Sequence, residues 1–319
     1  MNIYNNYTYI KYDLKKKKIK RFNELKTSLK LFFINFLFII KILIKFPFGL
    51  RILLCTIAKE ENKYIKEFVE HYKKLKIKKI IIYDNNDIKG EVFDDILKYE
   101  IKNNFVRIIN YRGFKQPQIQ ALNNCYKRFN KNYDWIAFYD IDELLQIKNF
   151  TDINEFLTLP RFKNCQSILI NWKYYGDNNK IYYESKPLSE RFNKSFYFNK
   201  INNYNIYLVS AAKTIVRGGL NIKWELFPHY LNNTINCRPD GTILKNYFSP
   251  PHYLIAYLAH YTTKSTEEFA ERLNRGDVYL ETTENYIKSR IFDYYFFFNI
   301  KTKQKLNLFK EKIKYKIQF

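Results

Sequence analysis

The chain has 319 residues, of which 46% are hydrophobic and 19% aromatic, so it is large enough to bury a substantial core. This composition excludes a mainly disordered protein and favours one large domain or a domain with appendages. The 55 basic and 31 acidic residues give a formal net charge of +24. Such an excess favours anionic partners, lipid headgroups or nucleic acid, with solvated basic tails as the alternative.

Two features mark the N-terminal region. The first 28 residues form a basic segment, and residues 29–50 form an apolar stretch that Lys41 and Lys45 interrupt. These two lysines and Lys30 fall near one stripe of a helix, which favours a helix at a membrane interface with its lysines reaching toward water. A tilted signal anchor and a helix packed on the protein's own core are the alternatives. No small-residue cleavage site follows, so we expect no removable signal peptide.

Strands and helices alternate four times in the next part of the chain. Short apolar runs predict strands at residues 51–57, 78–87, 105–111 and 134–140. The first intervening helix is predicted from apolar residues at helical spacing: Ile65, Phe68, Val69 and Tyr72. Strands separated by single helices predict an α/β fold with a parallel sheet covered on both faces. Ligands of such sheets bind beyond the carboxyl ends of the strands, where Thr56, Asp84 and Asp140 are placed.

The alternation fades in the second half. One more strand is predicted before a Tyr- and Asn-rich region of short strands and loops, residues 176–250. Ser265 and Glu268 have the spacing of a capping box, and Gly276 is placed to end that helix in a left-handed cap. Residues 289–319 are aromatic and then lysine-rich, which predicts a basic amphipathic helix.

The cysteines are few and scattered. They are Cys55, Cys125, Cys165 and Cys237, and no CxxC pair occurs. A metal–thiolate site is therefore not expected, and the pattern favours a reducing compartment.

Three acids follow the aromatic run at the end of the fourth predicted strand: Asp140, Asp142 and Glu143. Alternation along a strand places the two aspartates on one side and turns Glu143 away from them. Paired carboxylates hold a hard divalent cation, which neutralises charge on a diphosphate leaving group. The alternative is that these acids only cap the next helix. We interpret Asp140 and Asp142 as ligands and Glu143 as support.

His260 is the candidate for a third ligand among the four histidines. It precedes a predicted helix N-terminus, with Lys264 nearby at a place suited to phosphate. The alternative for His260 is a hydrogen-bonded core histidine. His71 is interpreted as structural, His252 as a loop residue, and His229 as a residue that faces the acceptor.

An ordered set of motifs runs from residue 51 to about residue 280. In chain order they are LCTIAKEENKYIKEFVEHYKKL, IIIYDNND, Gln118 with Ala121 and Cys125 as Q-x-x-A-x-x-x-C, DWIAFYDIDELL, NWKYYG, ERF and HYTTKSTEEFAERLNRG. This set resembles glycosyltransferase family 92 and its bacterial relatives. The resemblance implies a GT-A-type (Rossmann-like), mostly parallel sheet flanked by helices, to which this chain adds an N-terminal helix and a basic C-terminal helix.

The same resemblance implies a reaction and a metal site. The reaction is a metal-dependent transfer of a sugar, from a UDP-sugar, to a glycan hydroxyl, with inversion. Mn²⁺ or Mg²⁺ would be held by Asp140 and Asp142, with His260 completing the site and Lys264 near the diphosphate.

The resemblance also implies a substrate pocket. Thr56, Asp84 and Gln118 would line the side that binds the nucleotide, and Trp172 would offer a flat face to a sugar ring. The segment GDNN at residues 176–179 departs from the smaller-residue turn of the family, which leaves the acceptor open.

Inversion calls for one carboxylate to deprotonate the acceptor hydroxyl. Glu190 is the first candidate, with Glu225 and Asp177 behind it. The alternative is that Glu190 pairs with a neighbouring arginine.

The sequence thus predicts four regions. Residues 1–28 are a basic segment, 29–50 a hydrophobic or amphipathic helix that can associate with a membrane, 51–288 the glycosyltransferase domain, and 289–319 a basic helical tail. The expected location is the cytoplasm or a membrane, reached peripherally or by a signal anchor.

The expected partners are a nucleotide-sugar donor, a glycan or glycolipid acceptor and an anionic membrane surface, without nucleic acid. Two other functions stay open. One is a nucleotidyl- or phosphotransferase that uses the same acids in a two-metal site. The other is a non-catalytic, basic membrane- or RNA-binding protein.

Overall fold

The structure is a computed structural model that describes residues 24–30, 32–33, 49–195, 211–221, 227–245, 250–276 and 303–312. The chain divides into two compact units, residues 1–49 and residues 50–319. The second unit contains every residue proposed for the site.

In the first unit, residues 24–30 and 32–33 are helical. They expose four large apolar side chains: Leu25, Leu29, Phe32 and Phe33. Most of the predicted helix at 29–50 lies outside the described residues, and so does most of the basic segment before it. No helix in the described part of the chain is long and apolar enough to cross a membrane. The interfacial helix stays a prediction.

The second unit consists of nine strands and seven α-helices within the described ranges. The strands are β1 Ile52–Ala58, β2 Lys79–Asp84, β3 Val106–Asn110, β4 Trp135–Phe138, β5 Glu143–Ile147, β6 Ser167–Tyr174, β7 Ala212–Arg217, β8 Asn236–Cys237 and β9 Ala256–His260. The helices are α1 Ile65–Lys74, α2 Lys98–Lys102, α3 Gln118–Phe129, α4 Ile153–Leu157, α5 Leu188–Arg191, α6 Thr266–Arg275 and α7 Lys303–Lys312.

The first half of the sheet is parallel throughout. Its strand order is β3-β2-β1-β4, and β1 pairs in parallel with both β2 and β4. The helices between these strands supply the crossovers that parallel strands require. The predicted α/β class, with a mostly parallel sheet flanked by helices, is confirmed. Ala58, Asp84 and Phe138 therefore end their strands at one end of the sheet, which we call the carboxyl end.

The second half of the sheet brings two distant segments together. It continues from β4 in the order β7-β6-β9-β5, with β7 antiparallel to both β4 and β6. The last pair, β5 with β9, is antiparallel and places Glu143 opposite His260. This register brings the acids after β4 next to the histidine before α6.

The core lies between the sheet and its helices. Leu53, Cys55 and Ile57 point to one face of β1, where they join the buried cluster that includes Ala121 and Cys125 of α3. Burying an aliphatic side chain of this size stabilises a fold by roughly 1.5–3 kcal/mol. The apolar strand pattern thus serves to hold the sheet rigid beneath the site.

The expectation of reduced cysteines is wrong for this structure. Cys55 is joined to Cys125, and Cys165 to Cys237, as disulfides. Their Cα atoms are 6.7 and 5.9 Å apart, although the partners are 70 and 72 residues apart along the chain. Separation in sequence did not reveal this proximity, because it results from the packing of β1 against α3 and from the pairing of β6 with β8.

Helix α6 begins and ends at the residues that the sequence predicted, and only the conformation of its C-cap differs. Ser265 and Glu268 form the predicted capping box, with both reciprocal hydrogen bonds present. Gly276 ends the helix with φ 85° and ψ −170°, and not in the predicted left-handed helical cap. This conformation also favours glycine, because a Cβ atom would clash with the backbone.

Candidate functional site

The acids that follow β4 lie in a turn. The strand ends at Phe138, and Ile141 and Asp142 form a turn before β5 begins at Glu143. Strand alternation therefore does not apply here, and the expectation that Glu143 points away from the aspartates is wrong. The Glu143 carboxylate folds back to accept the backbone N–H of Asp140 at 3.1 Å.

Asp142, Glu143 and His260 form a buried cluster. One potential ligand atom from each lies within 4.8 Å of the others. The distance from His260 Nε2 to Asp142 Oδ1 is 3.7 Å. Within the described part of the chain, Glu143 Oε1 and His260 Nδ1 are buried without a hydrogen-bond partner. Buried polar atoms left without partners cost stability, so their presence suits a ligand or ion.

The electrostatics of this cluster fit a divalent cation. Burial lowers the pKa of His260 to about 3, so its imidazole is neutral near pH 7, the form that binds metals. Burial alone would raise the pKa of Asp142, but Lys264 and Arg272 help to hold that pKa below its usual range. Burial raises the pKa of Glu143, and a bound cation would favour its charged form. Two carboxylates and an imidazole form a donor set that suits Mn²⁺, and the carboxylates suit Mg²⁺.

Asp140, the other predicted ligand, has different partners. Its Oδ2 accepts from Lys213 Nζ at 2.7 Å, and its Oδ1 accepts from Gln118 Nε2 at 3.4 Å. Gln118, which we predicted to line the nucleotide side of the pocket, thus contacts the site through Asp140. Asp140 is also the most exposed of the three acids, since its side chain is 36% exposed.

Lys213 is a functional candidate that the sequence analysis missed. It projects from β7, is only 2% exposed, and lies 3.7 Å from Glu143 Oε1 as well as beside Asp140. Although burial opposes it, Asp140 and Glu143 raise the pKa of Lys213 to about 12, so the side chain is charged. The available signal was a lysine next to the apolar residues of β7, such as Ile215 and Val216.

Two further cations surround Asp142. Lys264 Nζ lies 3.8 Å and Arg272 Nη1 3.2 Å from Asp142 Oδ2. Lys264 is buried, has a positive φ of 56°, and stands over the Tyr64 ring at 4.5 Å. Burial lowers the pKa of Lys264, and Asp142 acts in the opposite direction. The cluster therefore has cations on the side where the capped N-terminus of α6 begins.

The two predicted nucleotide residues on β1 and β2 are both buried. Thr56 is fully buried, and its hydroxyl donates to the Ile57 carbonyl at 3.5 Å. Asp84 ends β2 and accepts from Arg112 Nε at 2.8 Å and from the Asn86 N–H at 3.0 Å. Arg112 also donates to loop carbonyls, including that of Asp87. Asp84 thus holds the loops at the carboxyl end together, and its contact with a nucleotide stays a prediction.

Glu190, the predicted base, lies exposed on the short helix α5. The arginine next to it is engaged elsewhere: Arg191 forms a bidentate pair with Glu268, at 2.8 and 3.0 Å. Both of these side chains are 1% exposed. Tyr64 donates to the same carboxylate at 2.6 Å. Glu268 thereby links α5 and Tyr64 to the capped start of α6.

Asp177 and Glu225 are the other two candidates for the general base. Asp177 is buried and accepts from Lys305 of α7 at 2.5 Å and from the Asn179 N–H at 2.8 Å. Glu225 lies outside the described residues. The structure therefore gives Asp177 a structural partner and leaves Glu190 as the more accessible carboxylate.

Trp172 lies next to the metal cluster. Its ring centroid is 4.4 Å from that of His260 and 5.2 Å from that of His229. Its indole N–H is buried without a hydrogen-bond partner among the described residues. Lys213 approaches the ring at 5.7 Å, and Tyr253 donates to the Trp172 carbonyl. The side chain thus closes the side of the cluster formed by β6 and β9.

The other three histidines make structural contacts. His71 is hydrogen-bonded to the Leu145 carbonyl at 2.9 Å, and His229 to the Ala212 carbonyl at 2.7 Å. His252 lies 3.6 Å from Asp240. The structural role predicted for His71 agrees with its contact, and the acceptor role of His229 stays a prediction.

Comparison with protein families decides the assignment. The model of "Glycosyltransferase family 92" matches residues 53–291, which include every residue proposed for the site. The chain belongs to glycosyltransferase family 92. The resemblance found in the sequence motifs is therefore confirmed, and with it the assignment to the glycosyltransferase class of enzymes.

A curated relative belongs to the same family. It is a glycosyltransferase family 92 protein of Ricinus communis, 23% identical over 125 residues. The match covers 39% of this chain and 20% of the relative, so the chain matches about one fifth of that protein's length.

Solved structures of three glycosyltransferases are also similar, at low identity. S. aureus TarS 1-349 in complex with UDP is 15% identical, with 83% of this chain and 81% of that chain covered and a TM-score of 0.40. The mannosyltransferase PcManGT from Pyrobaculum calidifontis, in complex with GDP-Man and Mn²⁺, is 9% identical, with coverages of 39% and 36% and a TM-score of 0.31. GalNAc-T7 with UDP, GalNAc and Mn²⁺ is 11% identical, with coverages of 40% and 23% and a TM-score of 0.30. Because these TM-scores are low, no functional assignment is taken from them.

Proposed function

We propose that this family 92 protein is a metal-dependent glycosyltransferase that transfers a sugar from a nucleotide-sugar, a UDP-sugar, to a glycan hydroxyl with inversion. The observation that supports it most is the buried cluster of Asp142, Glu143 and His260 at the carboxyl end of a parallel sheet, where Glu143 Oε1 and His260 Nδ1 have no hydrogen-bond partner among the described residues. Ligands of such sheets bind at this end. The proposed ion is Mn²⁺ or Mg²⁺.

The residues around the cluster have distinct proposed roles. Asp142, Glu143 and His260 would hold the ion, which supplies positive charge to the diphosphate leaving group. Lys264 and Arg272 would bind the diphosphate, because they lie within 4 Å of Asp142 and α6 begins just after Lys264. Asp140, held by Lys213, would be either a further ligand or an acceptor for a donor hydroxyl.

Binding of the donor provides the first test. We expect UDP with Mn²⁺ to raise the thermal unfolding midpoint of the full chain more than the sum of UDP alone and Mn²⁺ alone, since the ion and the diphosphate neutralise each other. The same mixture with EDTA is the control. Screening UDP, GDP and CMP identifies the nucleobase that the donor site prefers. A midpoint that none of these nucleotides shifts, with or without metal, would contradict the proposal.

The general base that activates the acceptor hydroxyl has a separate test. We propose that Glu190 deprotonates the acceptor, because it is exposed beside the Arg191–Glu268 pair. Glu190→Gln is expected to lower the rate of UDP-sugar hydrolysis, with water as acceptor, by about a hundredfold or more, because general bases contribute on this order. Its UDP–Mn²⁺ midpoint shift should stay unchanged. Glu184→Gln, at a nearby carboxylate that pairs with Lys180, is the matched control. Full activity of Glu190→Gln would eliminate this residue as the base.

The two-metal nucleotidyltransferase is the weaker candidate. Its one supporting observation is that Glu143 joins the acids of the turn, which brings a third carboxylate to the site. Lys213 lies between Asp140 and Glu143, however, and occupies the position where a second ion would need both carboxylates.

A further inference from the structure

The amino end of the sheet, opposite the metal cluster, has an unusual concentration of exposed cations. Helix α1 ends here with the exposed Lys73 and Lys74, and the segment that follows it exposes Lys76 and Lys78. Helix α3 also ends here and exposes Lys127, Arg128 and Lys131 before β4 begins. We call residues 73–78 and 127–131 together the basic surface.

These two segments belong to one continuous end of the molecule. Arg51, which enters β1 between them, accepts a backbone hydrogen bond from Asp134, and Lys78 donates its N–H to the Ile52 carbonyl. Gly218, at the end of β7, packs against the same loops. A Cβ atom there would lie 1.8 Å from the Tyr133 carbonyl oxygen, so the backbones are in direct contact. The cations are thus presented by a rigid framework.

Among the described residues, Lys76 is the one cation of this surface that forms a salt bridge with an acid. The Asp134 carboxylate accepts a hydrogen bond from the Arg51 backbone N–H at 2.8 Å. The Asp152 carboxylate forms a salt bridge with Lys76 at 2.7 Å. Glu155 accepts the Thr151 N–H at 2.8 Å. Lys74, Lys78 and Lys131 are exposed, and no salt bridge to them occurs among the described residues.

These cations lie too far from the metal cluster to attract the donor to it. The metal cluster lies at the carboxyl end, and β1 alone has seven residues, which is about 20 Å of strand. Cations that attract a nucleotide-sugar would lie around its pocket. Lysines at the far end need a different anionic partner.

We propose that the basic surface docks on a membrane that contains anionic phospholipids. The sequence directly before β1, residues 29–50, is apolar, and an apolar stretch next to cationic segments along the chain favours a lipid partner over a nucleic acid. Docking in this way points the metal cluster away from the headgroups. The acceptor must then be a glycan that extends well beyond the bilayer surface.

Vesicle binding by the full chain tests this proposal. Each lysine at an anionic membrane surface contributes about fivefold to binding, so Lys74→Gln, Lys78→Gln and Lys131→Gln combined should weaken binding to phosphatidylglycerol-containing vesicles by roughly a hundredfold. Pure phosphatidylcholine vesicles should bind the protein and the triple variant equally. The hydrolysis of UDP-sugar in detergent should not change.

A charge-matched variant separates the basic surface from the overall charge. Lys89→Gln, Lys186→Gln and Lys194→Gln combined remove three exposed lysines on the side of the metal cluster, and this variant should bind the vesicles like the unmodified chain. Equal losses in the two triple variants would overturn the proposal in favour of unspecific charge. Undiminished vesicle binding of the first variant would also overturn it, and a selective loss of binding to a single-stranded RNA probe would assign the surface to nucleic acid.

Discussion

Asp142→Asn is expected to lower metal-dependent hydrolysis of a UDP-sugar by about a thousandfold, the order of effect when a metal loses its place opposite a leaving group. Asp142 is the acid nearest to His260, and two cations also lie beside it, Lys264 just before α6 and Arg272 on α6. Asparagine keeps the shape of the side chain and removes its charge. Hydrolysis rates at saturating Mn²⁺, and the UDP–Mn²⁺ shift of the unfolding midpoint, measure the effect.

Asp134→Asn is the matched control for this change. Asp134 precedes the strand whose other end leads to Asp142, so the same substitution is made at the amino end of β4. We expect its activity to stay near that of the unmodified chain. If Asp142→Asn kept at least a tenth of the activity while folded, the metal site would lie elsewhere, and the assignment of the buried cluster would be wrong.

Arg191→Met is expected to destabilise the fold by about 3–5 kcal/mol, because it leaves the Glu268 carboxylate buried without its counter-charge. Burial alone would raise the pKa of Glu268, but hydrogen bonds from Arg191, Ser265 and Tyr64 hold that pKa below its usual value. The carboxylate is therefore charged in the folded protein, and the arginine is the cation that compensates it. Urea unfolding at neutral pH gives the change in the free energy of unfolding.

A second variant keeps this prediction testable if Arg191→Met alone does not fold. Adding Glu268→Gln removes the uncompensated charge, so the double variant should recover part of the lost free energy of unfolding. Arg51→Met provides the comparison with an exposed pair, since Arg51 is 57% exposed beside Asp134. Its cost should be at most about 1 kcal/mol. Equal costs at the two arginines would contradict the buried-pair interpretation.

The parts of this site that the sequence predicted are those that strand order and motif determine. Alternating apolar runs predicted the parallel strands, and parallel strands must present their carboxyl ends together. Asp142 was therefore expected at the carboxyl end of the sheet, where the structure places it. His260 was placed by its position before the capping box of α6, a local signal that Ser265 and Glu268 provide.

The parts that sequence did not predict depend on contacts between distant segments. Lys213 reaches Asp140 only because β7 pairs with β4. The sequence around a single lysine in a strand does not indicate which distant carboxylate it will contact. Glu143 was misplaced because the strand ends earlier than its apolar pattern, so a turn replaced the expected alternation. Arg272 contacts Asp142 from 130 residues away, through the packing of α6.

Helix α7 extends the folded unit past the part of the chain that the family model matches. The match ends at residue 291, whereas Lys305 of α7 is buried against Asp177, in the turn that follows β6. A version of the protein shortened to the matched residues would lose this lysine and the ion pair that it forms with the buried Asp177 carboxylate. Asn274 of α6 also donates to the Lys312 carbonyl, so the helix that follows Lys264 would lose a neighbour as well. The smallest version suited to expression therefore continues through residue 312.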